Sequence, residues 1–84
     1  MTERLTINFT PAEGALLRML GLVERRGYLL RNVTMKEDGG TASLVIDVEP
    51  RDSSRRVEVV ALQLGRLIDV NSVNLAIPHA GSFS

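Results

Sequence analysis

Residues 5–48 read LTINFTPAEGALLRMLGLVERRGYLLRNVTMKEDGGTASLVIDV. Within this stretch the hydrophobic period goes from two to about 3.6 and back to two. Leu5, Ile7 and Phe9 alternate with Thr6 and Asn8, the pattern of a strand with one buried face. Ala15, Leu16, Met19, Leu20, Leu22 and Val23 then recur at spacings of three and four, the stripe of an amphipathic helix. Thr10-Pro11-Ala12-Glu13 predicts the start of that helix, with Thr10 as cap, Pro11 in the first helical position and Glu13 completing a capping box. Gly27 predicts its end, because glycine takes the left-handed conformation past a helix C-terminus most readily. Gly21 lies inside the helix, where it is unfavourable relative to alanine, and this predicts close packing against a strand.

Residues 28–36 form a second extended segment, and Asp38-Gly39-Gly40 closes a hairpin onto residues 41–48. Ala42, Leu44, Ile46 and Val48 share one face of this third strand. Val33, Met35 and Val45 are expected on the opposite face of the sheet, which would need covering by a second copy or another protein. Working outward, residues 49–54 read as a loop ending in a cap at Asp52, Ser53 or Ser54. A second helix follows, with Val57, Val60, Ala61, Leu64, Leu67 and Ile68 on its apolar face. A last strand covers residues 70–77 and stops at Pro78, and residues 78–84 are expected as a loose tail. The order β-α-β-β-α-β specifies an α+β, ferredoxin-like fold, a four-stranded antiparallel sheet with both helices on one face. Residues 1–84 are read as a single domain with its ordered core over about 4–77.

Composition narrows the function. A chain of 84 residues is one domain, and burying only about 60% of its unfolded surface leaves it a thin stability margin. Ten basic residues balance ten acidic ones, so no overall field draws the protein to nucleic acid or anionic lipid. The absence of cysteine removes disulfides, thiolate ligands and cysteine nucleophiles, and fits a reducing compartment. The N-terminus has no continuous apolar core of a secretory signal and no run is long enough to span a bilayer, so a cytoplasmic location is expected.

The fold serves many functions, so residue chemistry must choose among them. A metal-carrying version would need a Cys-x-x-Cys loop, and no metal site is expected. An RNA-binding version would need aromatics on the central strands, where residues 41–46 supply none. An acylphosphatase-like enzyme needs a glycine-rich loop with an arginine between the first strand and helix, and residues 8–14 hold one glycine and no basic residue. His79 falls in the tail, away from any partner for triad chemistry. No catalytic residue is therefore expected. Arg18, Arg25, Arg26 and Arg31 are the local basic concentration, with Arg55 and Arg56 near the second helix, and read as a solvated surface or a docking patch for an acidic partner.

The run from Gly14 to Tyr28 (GALLRMLGLVERRGY), followed by Asn32-Val33-Thr34-Met35, resembles the ACT domain of acetohydroxyacid (acetolactate) synthase small subunits. The likeness extends from about Leu5 to Ile77, and its length is similar to the short small subunit of isozyme II. The resemblance implies a non-catalytic, dimerising subunit that stabilises and activates a catalytic large subunit in branched-chain amino acid biosynthesis. Thiamine diphosphate, Mg and FAD would then reside on that partner, and this chain would bind no cofactor. It also implies an effector site for a small amino acid at the dimer interface, formed by Glu13, Gly14 and Ala15 in the first turn and by Leu29 and Leu30 at the start of the second strand. Pro11 and Leu29 occupy the positions of the family's two effector-binding asparagines, so weak or no valine feedback is expected. An effector carboxylate would fall to the backbone amides of Gly14 and Ala15.

Overall fold

The computed structural model describes residues 2–76, in six elements. They are β1 (Glu3–Phe9), α1 (Ala15–Arg25), β2 (Tyr28–Asp38), β3 (Thr41–Pro50), α2 (Val57–Gly65) and β4 (Val70–Ala76). The sheet order is β2-β3-β1-β4, with every neighbouring pair antiparallel. This is the expected ferredoxin-like arrangement. The expected end of the last strand at Pro78, the tail over residues 78–84 and His79 lie outside the described residues.

Alternation decides the core. Leu5, Ile7 and Phe9 of β1 stand opposite Ile46, Leu44 and Ala42 of β3, and all six are buried on the helix side. Onto them α1 lowers Ala15, Met19 and Val23, four residues apart, while α2 lowers Val57, Val60 and Leu64. Leu16, Leu20 and Leu22 flank the α1 stripe and are half-buried against the core. Ile68 departs from the expected face of α2 and is 93% exposed, because the helix ends at Gly65 and the chain turns before Ile68 can point inward.

Both helix starts differ from the sequence expectation. The Thr10 N–H donates to the Asp69 carbonyl at 2.8 Å, which continues the β1–β4 ladder and keeps Thr10 extended. Gly14 at φ 80° is the residue before the helix, so α1 begins at Ala15 with no side-chain cap and the Thr10–Glu13 box does not form. At α2, Asp52 accepts from the Ser54 N–H at 3.0 Å and from its hydroxyl, tightening the loop locally. The helix cap falls instead to Arg56, again without a side-chain bond. The end of α1 is as expected: Gly27 sits at φ 91° and its N–H donates to the Glu24 carbonyl at 3.0 Å. The close strand packing expected for Gly21 is absent. A Cβ there would meet only the Arg25 guanidinium, at 3.2 Å.

A bulge in β2 redistributes the sheet faces. Leu30 pairs with Val48 and Asn32 with Asp47, leaving Arg31 as an extra residue. Beyond it Val33 stands opposite Ile46 and Met35 opposite Leu44, so both lie on the helix side of the sheet. They are nevertheless 45% and 38% exposed, since β2 is an edge strand and this part of it is not covered. The expectation that Val33 and Met35 join Val45 on the uncovered face is thus corrected. That face carries Thr6, Asn32, Thr34 and Ser43 around Val45, by the pairing registers. Within it Asp47, only 6% exposed, accepts from Arg4 Nε at 2.7 Å, Arg4 Nη2 at 3.1 Å and Asn32 Nδ2 at 3.3 Å. The Arg4 bonds hold its carboxyl below the usual carboxylate range against the opposing effect of burial, with Asn32 assisting.

Candidate functional site

The turn between β1 and α1 gathers three of the five expected effector residues, Glu13, Gly14 and Ala15. The Ala15 N–H donates to the Ala12 carbonyl at 3.0 Å, and the Gly14 carbonyl accepts from the Arg18 N–H at 2.9 Å as the first helical bond. The Ala15 amide is therefore already engaged, which corrects the expectation that it would receive a carboxylate. The donors left over in the first turn of α1 lie one step further along the chain. With no side-chain cap and no acidic residue in that turn, the positive end of the helix dipole is not neutralised by the helix itself.

Arg18 lies over this turn. Its Nη1 donates to the Glu13 carbonyl at 3.4 Å and its Nη2 to the Asp69 carboxylate, the residue before β4. A Cβ on Gly14 would come within 3.1 Å of Arg18 Nη1, so a bare glycine lets the guanidinium settle against the backbone. The Arg18 guanidinium is thus already paired with Asp69, so an anion at this turn would meet chiefly the free N–H groups in the first turn of α1.

Leu29 and Leu30 lie elsewhere. They follow Gly27 at the far end of α1, which at 11 residues is about 16 Å long. Leu30 packs on the core opposite Val48, and Leu29 pairs with Glu49 on the other face. One chain thus does not bring the two halves of the expected site together. Among the described residues no three His, Cys, Asp or Glu side chains gather as a metal site would require, and no helix is long and apolar enough to cross a membrane.

The βαββαβ order and the antiparallel sheet with both helices on one side define a ferredoxin-like domain, entered at α1 through a glycine in the left-handed conformation. A family model described as ACT domain matches residues 11–73, and the chain belongs to the ACT domain family. The ACT domain is a regulatory, small-molecule-binding domain that is not itself catalytic. Solved structures agree on the fold. The chain is similar to the ACT domain from GTP pyrophosphokinase of Chlorobium tepidum, with TM-score 0.75 and 11% identity over 89% of this chain and 96% of that one. It is also similar to the C-terminal domain of the MgtC protein from Mycobacterium tuberculosis, with TM-score 0.71 and 12% identity over 90% of this chain and 85% of that one. A formyltetrahydrofolate deformylase from Pseudomonas putida KT2440 matches with TM-score 0.75 and 12% identity over 94% of this chain and 29% of that one. At such identities the likeness concerns the fold alone. No curated protein matches the chain.

Proposed function

We propose that this chain is the regulatory small subunit of an acetolactate synthase, acting as a cytoplasmic homodimer that stabilises and activates a thiamine-diphosphate-dependent large subunit. The observation that carries the reading is the run from Gly14 to Tyr28, which resembles the family's small subunits and which forms the β1–α1 turn, all of α1 and the entry to β2. Thiamine diphosphate, Mg and FAD would be held by the large subunit, and this chain works through surface complementarity.

The unpaired edge of β2 supports the homodimer. An 11-residue edge strand offers a row of free backbone groups, and Val33 and Met35 give its middle an apolar strip. In an isologous pair, antiparallel edges meet so that the start of one β2 faces the end of the other. Tyr28 begins β2 at the C-terminal end of α1, and Asp38 ends it near the N-terminal end. Such pairing carries Leu29 and Leu30 of one copy toward the Gly14 turn of the other, which reunites the two half-sites separated within one chain. The missing amide side chains at Pro11 and Leu29 leave a ligand's amino group short of partners, so valine feedback through this site is weak or absent.

Reconstitution with a thiamine-diphosphate-dependent large subunit tests the proposal. Co-elution and a rise in acetolactate formation are expected, and neither complex nor rise would refute it. The uncapped, acid-free first turn of α1 favours a second reading, a free-standing homodimeric sensor of an amino acid. That reading expects a ligand-dependent melting shift in an amino acid screen without any large subunit.

A further inference from the structure

At the opposite end of α1 from the Gly14 turn, a cavity of about 240 Å³ opens between the helices. It is lined by Arg26, Tyr28, Ser54, Arg55, Arg56, Val59 and Val60. The Tyr28 residue is 2% exposed, and its hydroxyl has no hydrogen-bond partner. A buried donor left without a partner is costly, and most such groups are satisfied by protein, water or ligand. Burial foremost raises the phenol above its usual range, with the carboxylates of Glu3, Glu58 and Asp52 adding to it and Arg55 opposing, so at neutral pH it is a donor and calls for an acceptor.

The other lining groups share that demand. Three guanidiniums contribute donors and no acceptor. Arg55 reaches Asp52 at only 3.5 Å and Arg56 reaches Glu58 at 3.9 Å, both as exposed, loose pairs, and neither acid lines the cavity. The cavity also lies at the N-terminal end of α2, which no side chain caps, although Glu58 in the first turn offsets part of the helix dipole. The absence of a side chain on Gly27 matters here: a Cβ would lie 2.4 Å from Arg55 Nε, so glycine is what lets the Arg55 guanidinium lie down beside the cavity.

We propose that this cavity is an oxyanion site that takes a phosphate group, held by Arg26, Arg55 and Arg56 with the Tyr28 hydroxyl as a fourth donor. Guanidinium matches phosphate in geometry as well as charge. Val59 and Val60 give one wall an apolar surface, which suits a small phosphomonoester as well as the free ion. This site is separate from the Gly14 turn and does not depend on the large subunit.

Titration with inorganic phosphate, followed by calorimetry and by melting in phosphate against chloride at matched ionic strength, tests it. Saturable binding is expected. Arg55→Gln weakens it by about tenfold or more, as loss of a charge-assisted contact does. Arg66→Gln, which removes an equal charge at the other end of α2, leaves it unchanged. Tyr28→Phe distinguishes the site from a general salt effect: without phosphate it melts at or above the parent, since a buried unpaired hydroxyl is lost, yet its phosphate affinity falls. No saturable binding, or the same phosphate response in Arg55→Gln, Tyr28→Phe and the parent, would overturn the proposal.

Discussion

Alanine at Gly27 and alanine at Gly21 add the same methyl group to one helix and its exit, and the structure gives the two changes opposite signs. Gly27 holds φ 91°, where an L residue is disfavoured by roughly 1–2 kcal/mol. Its new Cβ would also lie 2.4 Å from Arg55 Nε and 2.7 Å from Arg55 Cζ. The guanidinium is the end of a flexible side chain and can swing away, so this contact adds little beyond the loose Asp52 pair. Gly21 has helical backbone, and its Cβ would touch only Arg25 Nη1, at 3.2 Å, which can move. There alanine is favoured by roughly 0.5–1 kcal/mol. At about 4–8 °C per kcal/mol for a domain of this size, Gly27→Ala lowers the melting temperature by about 4–16 °C and Gly21→Ala raises it by about 2–8 °C. Thermal melts by circular dichroism and urea unfolding at 25 °C measure both. If Gly27→Ala melts with the parent, the left-handed exit from α1 is wrong. If Gly21→Ala is destabilised, that position has a close neighbour which the packing of α1 does not contain.

Three further outcomes follow from the sheet. Leu44→Ala, facing the core opposite Ile7, is expected to lose about 2–5 kcal/mol, whereas Val45→Thr on the polar face stays within about 0.5 kcal/mol of the parent; similar losses in urea unfolding would contradict the face assignment. Because Asp47 has its pKa lowered in the folded state, its contribution is complete above the unfolded value of about 3.9 and is lost as pH falls through the lower folded value. Asp47→Asn therefore flattens the acid side of the stability profile, and an unchanged slope between pH 5 and 2 measured in urea would count against it. Val33→Lys together with Met35→Lys leaves the monomer folded, since both side chains are substantially exposed, but abolishes the β2-edge dimer; light scattering that still finds a dimer would exclude that edge as the interface.

The sequence is most informative where structure is local. Ala15, Met19 and Val23 announce α1 by spacing, Gly27 announces its end, and Asp38-Gly39-Gly40 announces the hairpin, because each depends on neighbours within a turn or two. The start of α1 was less legible: Thr10 is held extended by the carbonyl of Asp69, distant in sequence, so a favourable capping pattern lost to a tertiary bond. The bulge at Arg31 carries no strong local signature, and strict alternation therefore assigned Val33 and Met35 to the wrong face. The Gly14 turn was visible as a small-residue helix entry, but its separation from Leu29 and Leu30 emerges only once α1 has its length. The arginines show both sides. Their clustering was plain in the sequence, yet only folding sorts Arg18 to Asp69 and Arg31 to Glu49 while bringing Arg26, Arg55 and Arg56 to one cavity with Tyr28.

The extra residue in β2 makes that strand two half-strands of opposite phase joined at Arg31. The first half anchors Tyr28 and Leu30 beneath the helices, and the second presents Val33 and Met35 at the open margin on the same side. Deleting Arg31 would keep the pairs Leu30–Val48, Asn32–Asp47 and Val33–Ile46 and only make the strand regular, whereas pairing Arg31 in strict alternation would send Asn32, Thr34 and Lys36 to that margin and the two apolar side chains to the polar face. The greasy margin thus depends on one residue being left out of the pairing, and the character of this edge is stored in register as much as in composition.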